Sequence, residues 1–303
     1  GGRIQVPYAN GARFFAPLTD SVVPNRSIWP ITFSRSSGAT VQDHEWIVRY
    51  CLSGEARFQG ARRVENLHTY SEDITNAVWN KASCTSAKNA WIAPDGTNTA
   101  WLVTSNIATV LIEFNQNYSI VSGQTYILSV SLKANGWLQY VQLVGNSVTF
   151  WFGYINVDLS NGTITGGVYA GANIIDIGDG WYRCSITSTI ATSSTSVYYF
   201  LSDGTLSKGS SVAGDGTSGI YIWGAQLEQA SAASSYIPTT TAAVTRNKDV
   251  LSYDTASWYN PNAATIQMDY EWYSAVMGDT RNFGWFFDDG GLDRFALRIS
   301  DAS

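Results

Sequence analysis

Between Ser122 and Glu228 the chain alternates apolar and polar residues in short runs, and three phrases set the pattern: SGQTYILSVSLKANG (122–136), DIGDGWYRCSIT (176–187) and DGTSGIYIWGAQLE (215–228). Each opens with Gly or Asp-Gly and passes into a period of two, which is the pattern of a half-buried strand. In the first, Tyr126, Leu128, Val130 and Leu132 share one face, opposite Thr125, Ser129, Ser131 and Lys133. The same reading predicts strands over about 99–104, 108–114, 124–133, 138–144, 148–158, 163–170, 181–190, 196–202 and 219–228. Asn161-Gly162 joins two of these runs and is the strongest short hairpin signal. Short strands at this spacing predict an all-β fold, an antiparallel jelly-roll β-sandwich over 66–228.

The flanks read differently. Over 1–65, Pro17, Pro24 and Pro30 interrupt every candidate element, so this stretch is expected to be an extended N-terminal arm attached to its own body or to a neighbour, with short strands at Ile31–Phe33 and Trp46–Tyr50. SEDITNAVWNKA (71–82) places Ser71 before Glu72 and Asp73 and predicts a helical turn or two. Residues 229–250 are rich in small and hydroxyl residues and lack alternation, as in a linker or strap. Strand patterns return at 264–274, 282–290 and 293–300, and 251–303 is expected to be the start of an incomplete second β-domain.

Composition agrees with a β fold and narrows the chemistry. Aromatics make up 14% of the chain, with 12 Trp and 17 Tyr, and charged residues only 14%. A net charge of −6 opposes the electrostatic grip that nucleic-acid binding requires. No apolar run approaches the ~20 residues of a membrane-spanning helix, so no membrane insertion is expected. Three widely spaced cysteines, Cys51, Cys84 and Cys184, form neither a disulfide framework nor a zinc motif, and Cys184 has the parity of a core residue.

Catalytic groups are scarce. The two histidines, His44 and His68, accompany no nucleophile motif. Glycoside hydrolysis needs only two carboxylates, and Glu113, Asp158, Asp176, Asp179, Asp203, Asp215 and Glu228 are candidates, but most occupy turn positions. The chain is therefore read as a non-enzyme, with a glycan depolymerase or glycoside hydrolase accessory as the alternative. No cofactor is expected apart from a candidate structural Ca²⁺, whose first-choice ligands are Asp215 and Glu228 at either side of the last sandwich strand.

Aromatic side chains offer more. Sugars are gripped by flat aromatic faces flanked by amide and guanidinium groups. Strand parity puts Trp181 with Arg183, Ser185 and Thr187 on the polar face, opposite Tyr182, Cys184 and Ile186. Tyr140 and Gln142 likewise oppose Val141 and Leu143. With Trp137, these are the candidate carbohydrate-binding residues. The competing reading is core or subunit interface, which applies to Trp181 and more strongly to Trp151 and Trp223, since Trp223 shares parity with Tyr221, Ala225 and Leu227.

Five phrases in order carry a resemblance: GEARFQGARRVENLHTYSEDITNAVWNKAS (54–83), APDGTNTA (93–100), GQTYILSVSLKA (123–134), DGWYRCSIT (179–187) and GDGTSGIYIWGAQLEQASAASSYIPTTTAAVTRNKDV (214–250). They resemble a module of tailed-bacteriophage virion proteins, found in tail-fibre, tail-tip and capsid-fibre chains and similar to carbohydrate-binding jelly rolls. FSRSSGATVQDHEW (33–46) resembles the lead-in to such modules, and the residues after Val250 resemble the beginning of a concanavalin A-like lectin domain. The resemblance implies a structural, host-facing role in the virion after assembly in the host cytoplasm. It implies self-association, with a homotrimer expected, contacts to other phage head or tail proteins through the arm, and host surface polysaccharide as ligand. A purely structural, capsid-stabilising role is the other alternative.

Overall fold

The computed structural model describes residues 31–42, 47–56, 62–145, 154–168, 171–190, 192–204, 207–253, 283–288 and 294–299. His44, Trp46 and Trp151 lie outside them. Four short strands come first: β1 (Ile31–Ser34), β2 (Ala39–Gln42), β3 (Val48–Cys51) and β4 (Val64–Asn66). There follow β5 (Asn80–Ala82), β6 (Cys84–Trp91), β7 (Ala100–Ser105), β8 (Thr109–Val110), β9 (Glu113–Ser119), β10 (Gln124–Asn135), β11 (Tyr140–Gly145) and β12 (Tyr154–Asp158). Next are β13 (Thr163–Val168), β14 (Ala172–Asp176), β15 (Tyr182–Ile190), β16 (Ser194–Ser202), β17 (Val212–Ala213), β18 (Gly219–Glu228), β19 (Val244–Arg246) and β20 (Val250–Tyr253). These belong to a compact unit spanning Gly1–Thr255, and a hairpin of β21 (Phe283–Asp288) and β22 (Arg294–Ile299) belongs to a second, Ala256–Ser303. Among the described residues there is no α-helix.

Two six-stranded antiparallel sheets form a sandwich of the jelly-roll type. One runs β14-β15-β10-β18-β7-β6 and the other β13-β12-β11-β16-β9-β5. Their inner faces are the residues whose alternation predicted them: Leu128, Val130, Leu132, Cys184 and Ile186 meet Val141, Leu143, Ile155, Val157, Val197, Tyr199 and Leu201, all at most 1% exposed. Cys184 is a core residue, and burial pushes its thiol up to about 12.

The departures have local causes. In β18 alternation breaks at Gly224, whose φ of +63° makes room for an extra residue opposite Val130, because Ser129 pairs with Gln226 whereas Ser131 pairs with Trp223. The bulge moves core parity from Ile220 and Ile222 to Ala225 and Leu227, and puts Tyr221 and Trp223 on the outer face instead of with Ala225. The run expected at 108–114 splits into β8, which pairs with β17, and β9, which carries the sheet. Edge strands β6 and β14 had no sequence signal, because an edge covered on few sides needs little apolar content; β6 reads CTSAKNAW. The expected helical turns over 71–82 are instead a run of tight turns ending in β5. There Asp73 Oδ1 accepts from Thr75 N (3.1 Å), Lys81 Nζ donates to Ile74 O (2.7 Å), and the 2%-exposed Trp79 plugs the core.

The described part of the expected arm and the strap lie on the sandwich together. β1 pairs with β20, β4 pairs with β19, and β2 and β3 form a hairpin. Arg35, 3% exposed, donates to Leu52 O (2.7 Å), Glu55 O (2.8 Å) and Asp249 Oδ1 (2.9 Å). Tyr236 and Ile237 of the strap are buried, and Tyr236 joins Ala93, Ala100, Trp181, Tyr221 and Trp223 in a second apolar cluster on the outer face of the first sheet.

Candidate functional site

That second cluster decides the fate of the first pair of predicted sugar contacts. Trp181 does project from the outer face, but the chain after β6 and the strap roof it. It is 2% exposed and its Nε1 donates to Ile92 O at 3.1 Å, so it has no open face to stack on a sugar. Arg183 is spent internally: its Nη1 donates to Gly224 O (2.6 Å) and Ser131 Oγ (3.3 Å), its Nη2 to Ser129 Oγ (2.8 Å), and its guanidinium lies 6.0 Å from the Tyr236 ring centroid. Burial pulls the Arg183 pKa down, and the Glu228 carboxylate opposes that shift.

Tyr140 and Gln142 are on the outer face of the other sheet, so the structure does not bring the two predicted pairs together. Gln142, 1% exposed, donates through Nε2 to Ser207 O (2.9 Å) and accepts from Gly209 N (2.8 Å), which ties the chain after β16 to the sheet. The two candidate calcium ligands are also apart. Asp215 precedes β18 and Glu228 ends it, and ten residues of strand separate them by about 30 Å at ~3.3 Å per residue. A Ca²⁺ ion needs its oxygens within about 2.3–2.6 Å, so the two cannot share one. Glu228 is fully buried and accepts from Ser234 N at 2.9 Å. No three carboxylate, His or Cys groups converge on a metal position among the described residues.

Of the candidate carboxylates, several act as turn caps. Asp158 accepts from Ser160 N (2.8 Å) and Asp176 from Gly178 N (2.8 Å). Asp215 accepts from Thr217 N (2.8 Å), Ser218 N (2.6 Å) and Ser218 Oγ (2.6 Å), and these bonds hold it well below the usual carboxylate range.

Exposed aromatic surface does collect in one place. Trp91 (42% exposed) and Trp137 (45%) both present open rings. Lys133 and Asn135 extend the outer-face alternation of β10, opposite Tyr221 and Gly219 of β18, and Trp137 follows just past the strand end. Tyr221 donates its hydroxyl to Asn135 Oδ1 (3.3 Å), Asn135 Nδ2 donates to Thr217 O (2.9 Å), and Trp137 Nε1 donates to Asp215 Oδ2 (2.9 Å). At the other end Trp91 packs against Tyr221 with centroids 5.3 Å apart, and Lys133 Nζ sits 4.7 Å from the Trp91 centroid. Lys133 is also paired with Asp179 at 3.1 Å, and that contact lowers the Asp179 pKa.

The result is a strip from Trp91 through Lys133 and Asn135 to Trp137, underlain by the buried Tyr221 and with an exposed indole at each end. Its groups suit polyhydroxyl ligands: aromatic faces for C–H surfaces and amide, ammonium and carboxylate for hydroxyls. It holds no nucleophile. Trp137 was among the candidate sugar contacts read from the sequence, whereas Trp91 was not, because the strand that presents it had no signal. The available hint was a lone Trp in KNAW directly before the turn at 94–97.

No protein-family model matches the chain, and no curated protein sequence matches it either. Among solved structures, the enzymatically active domain of bacteriophage CBA120 tailspike protein 4 is similar at 13% identity and a TM-score of 0.34, over 54% of this chain and 21% of that one. The mannan-recognising carbohydrate-binding module TmCBM27 is similar at 12% identity and a TM-score of 0.29, over 56% of this chain and 99% of that one.

Proposed function

We propose that this chain is a component of a tailed-phage particle that displays its β-sandwich for attachment to host-surface glycan, with the Trp91–Trp137 strip as the sugar-contacting surface. The observation that carries the reading is the strip itself: two exposed indoles, each seated by polar or aromatic neighbours, on a rigid sheet. Exposed Trp is costly to leave in water and is common where a ligand covers it. The virion assignment rests on the five sequence phrases, and so do self-association as a trimer and contacts with other phage proteins through residues 1–65. The chain acts by binding, without catalysis.

The test uses Trp91→Ala, Trp137→Ala and the double variant, assayed on host-cell surface polysaccharide and by glycan array. Each single change is expected to weaken binding about tenfold, equivalent to ~1.4 kcal/mol, with thermal unfolding little changed because both rings are exposed. A double variant that still folds and binds like the parent removes the strip from consideration. New reducing ends released from the polysaccharide would favour the depolymerase reading.

A further inference from the structure

A cleft of about 250 Å³ opens at the sandwich edge, between the turn at 72–75 and the strands β6 and β7. Glu72, Thr75, Lys88, Asn89, Thr99 and Trp101 line it. Trp101 projects to the core side of its sheet and Trp91 to the outer side, so a ligand here is not on the strip described above.

The cleft holds hydrogen-bonding capacity that the protein does not use. Glu72 is partly buried, its Oε1 accepts from Tyr236 Oη at 2.8 Å, and its backbone oxygen accepts from Trp101 Nε1. Among the described residues its Oε2 meets neither a donor nor a cation. Burial raises the Glu72 pKa, with Asp95 adding to the shift, as expected of a carboxylate with no counter-charge. On the opposite wall the Lys88 ammonium and the Asn89 amide make no hydrogen bond within the described residues. Asn89 has a φ of +54° and sits in the irregularity between Ala87 and Trp91, where β6 departs from its register with β7. Such a backbone conformation costs a non-glycine residue about 1 kcal/mol, and bulges of this type re-aim side chains.

We propose that this cleft is a second carbohydrate subsite that takes a single neutral pyranose ring. One open acceptor facing two open donors calls for ligand groups that both donate and accept, and hydroxyls do so. An anionic sugar meets Glu72 and Asp73, a cationic one meets Lys88, and the set of three metal-ligating groups a divalent ion would need is not assembled among the described residues. The volume of about 250 Å³ lies below the ~300–1,000 Å³ of pockets that take drug-sized ligands, which favours an occupant of one ring.

The experiment titrates the full chain with D-mannose, D-galactose and N-acetyl-D-glucosamine, with D-glucosamine as the cationic control, by saturation-transfer NMR and calorimetry. At least one neutral pyranose is expected to bind saturably, and Glu72→Gln or Lys88→Ala is expected to weaken it at least fivefold. All of these titrations are made in the Trp91→Ala/Trp137→Ala background, where the strip has lost both indoles, so the binding read belongs to the cleft whether or not the strip binds glycan. Lys88 is exposed, so Lys88→Ala retains the fold even if Glu72→Gln does not. No saturable binding of any neutral pyranose overturns the proposal. So does binding that survives Lys88→Ala, or tighter binding of glucosamine than of the neutral sugars.

Discussion

At the scale of the residue, His68 shows how burial replaces chemistry by structure. It is fully enclosed, stacked on Trp79 at 4.8 Å between centroids, with Nδ1 3.1 Å from Gln116 Oε1 and Nε2 3.3 Å from Tyr199 Oη. Desolvation lowers its pKa from 6.5 to about 3. The unfolded chain therefore binds a proton near pH 6.5 that the folded chain refuses until about pH 3. The stability this neutral imidazole contributes is complete above pH 6.5 and is lost as pH falls from 6.5 towards 3, by about 1.4 kcal/mol per pH unit. Urea unfolding at pH 7, 6, 5 and 4.5 should show that slope, and His68→Gln should flatten it by the same amount. Equal slopes in the two proteins would show that the histidine is not held neutral.

At the scale of the element, the bulge in β18 sets which aromatics enter the core. Gly224 adopts φ +63°, and a Cβ there would lie 3.4 Å from Arg183 Nη1 and from the Tyr236 ring. Gly224→Ala is expected to destabilise by about 1–2 kcal/mol from the left-handed backbone alone, read as a lowered thermal midpoint. Deleting Gly224 removes the extra residue and restores a strict period of two, with Ile220, Ile222, Ala225 and Leu227 on one face and Tyr221, Trp223 and Gln226 on the other. That variant is expected to keep a cooperative unfolding transition at a lowered midpoint, because Arg183 Nη1 loses its bond to Gly224 O, and loss of the transition would mean that the sheet cannot accept a straight β18.

At the scale of the whole molecule, segments distant in sequence are tied together by buried polar side chains. Asn66 is fully buried; its Nδ2 donates to Ile237 O (2.8 Å) and Ala225 O (3.3 Å), and its Oδ1 accepts from His68 N (3.0 Å) and Leu227 N (3.1 Å). One amide thus fastens the strap and the chain after β4 to β18. Asn66→Ala leaves several backbone groups unpaired, each costing about 1–3 kcal/mol, so a loss of at least about 3 kcal/mol is expected in chemical denaturation. Limited proteolysis should then cut first within 229–243. A variant of parental stability and protease resistance would show that the strap is held by its apolar contacts alone.

Alternation by itself determined the sandwich, because burying one face of a strand imposes a period of two, and β10, β11 and β15 carry that period openly. Asn161-Gly162 marked its hairpin for the equally local reason that φ > 0 suits Gly, here +68°. Trp137 was visible as an aromatic beyond a strand end. Tertiary structure alone decided what lay over each outer face. Trp181 and Arg183 had the polar-side parity they were read to have, yet Tyr236 arrives from 55 and 53 residues away along the chain to cover them. Parity says which side of a sheet a residue takes, and says nothing of a second layer delivered by a strap with no period. Trp223 was hidden for a related reason: a single extra residue in β18 changed the facing that a strict count assigns, and such a bulge leaves only a glycine as its trace in sequence. Trp91 was hidden because the edge strand β6 carries no alternation from which a facing could be counted.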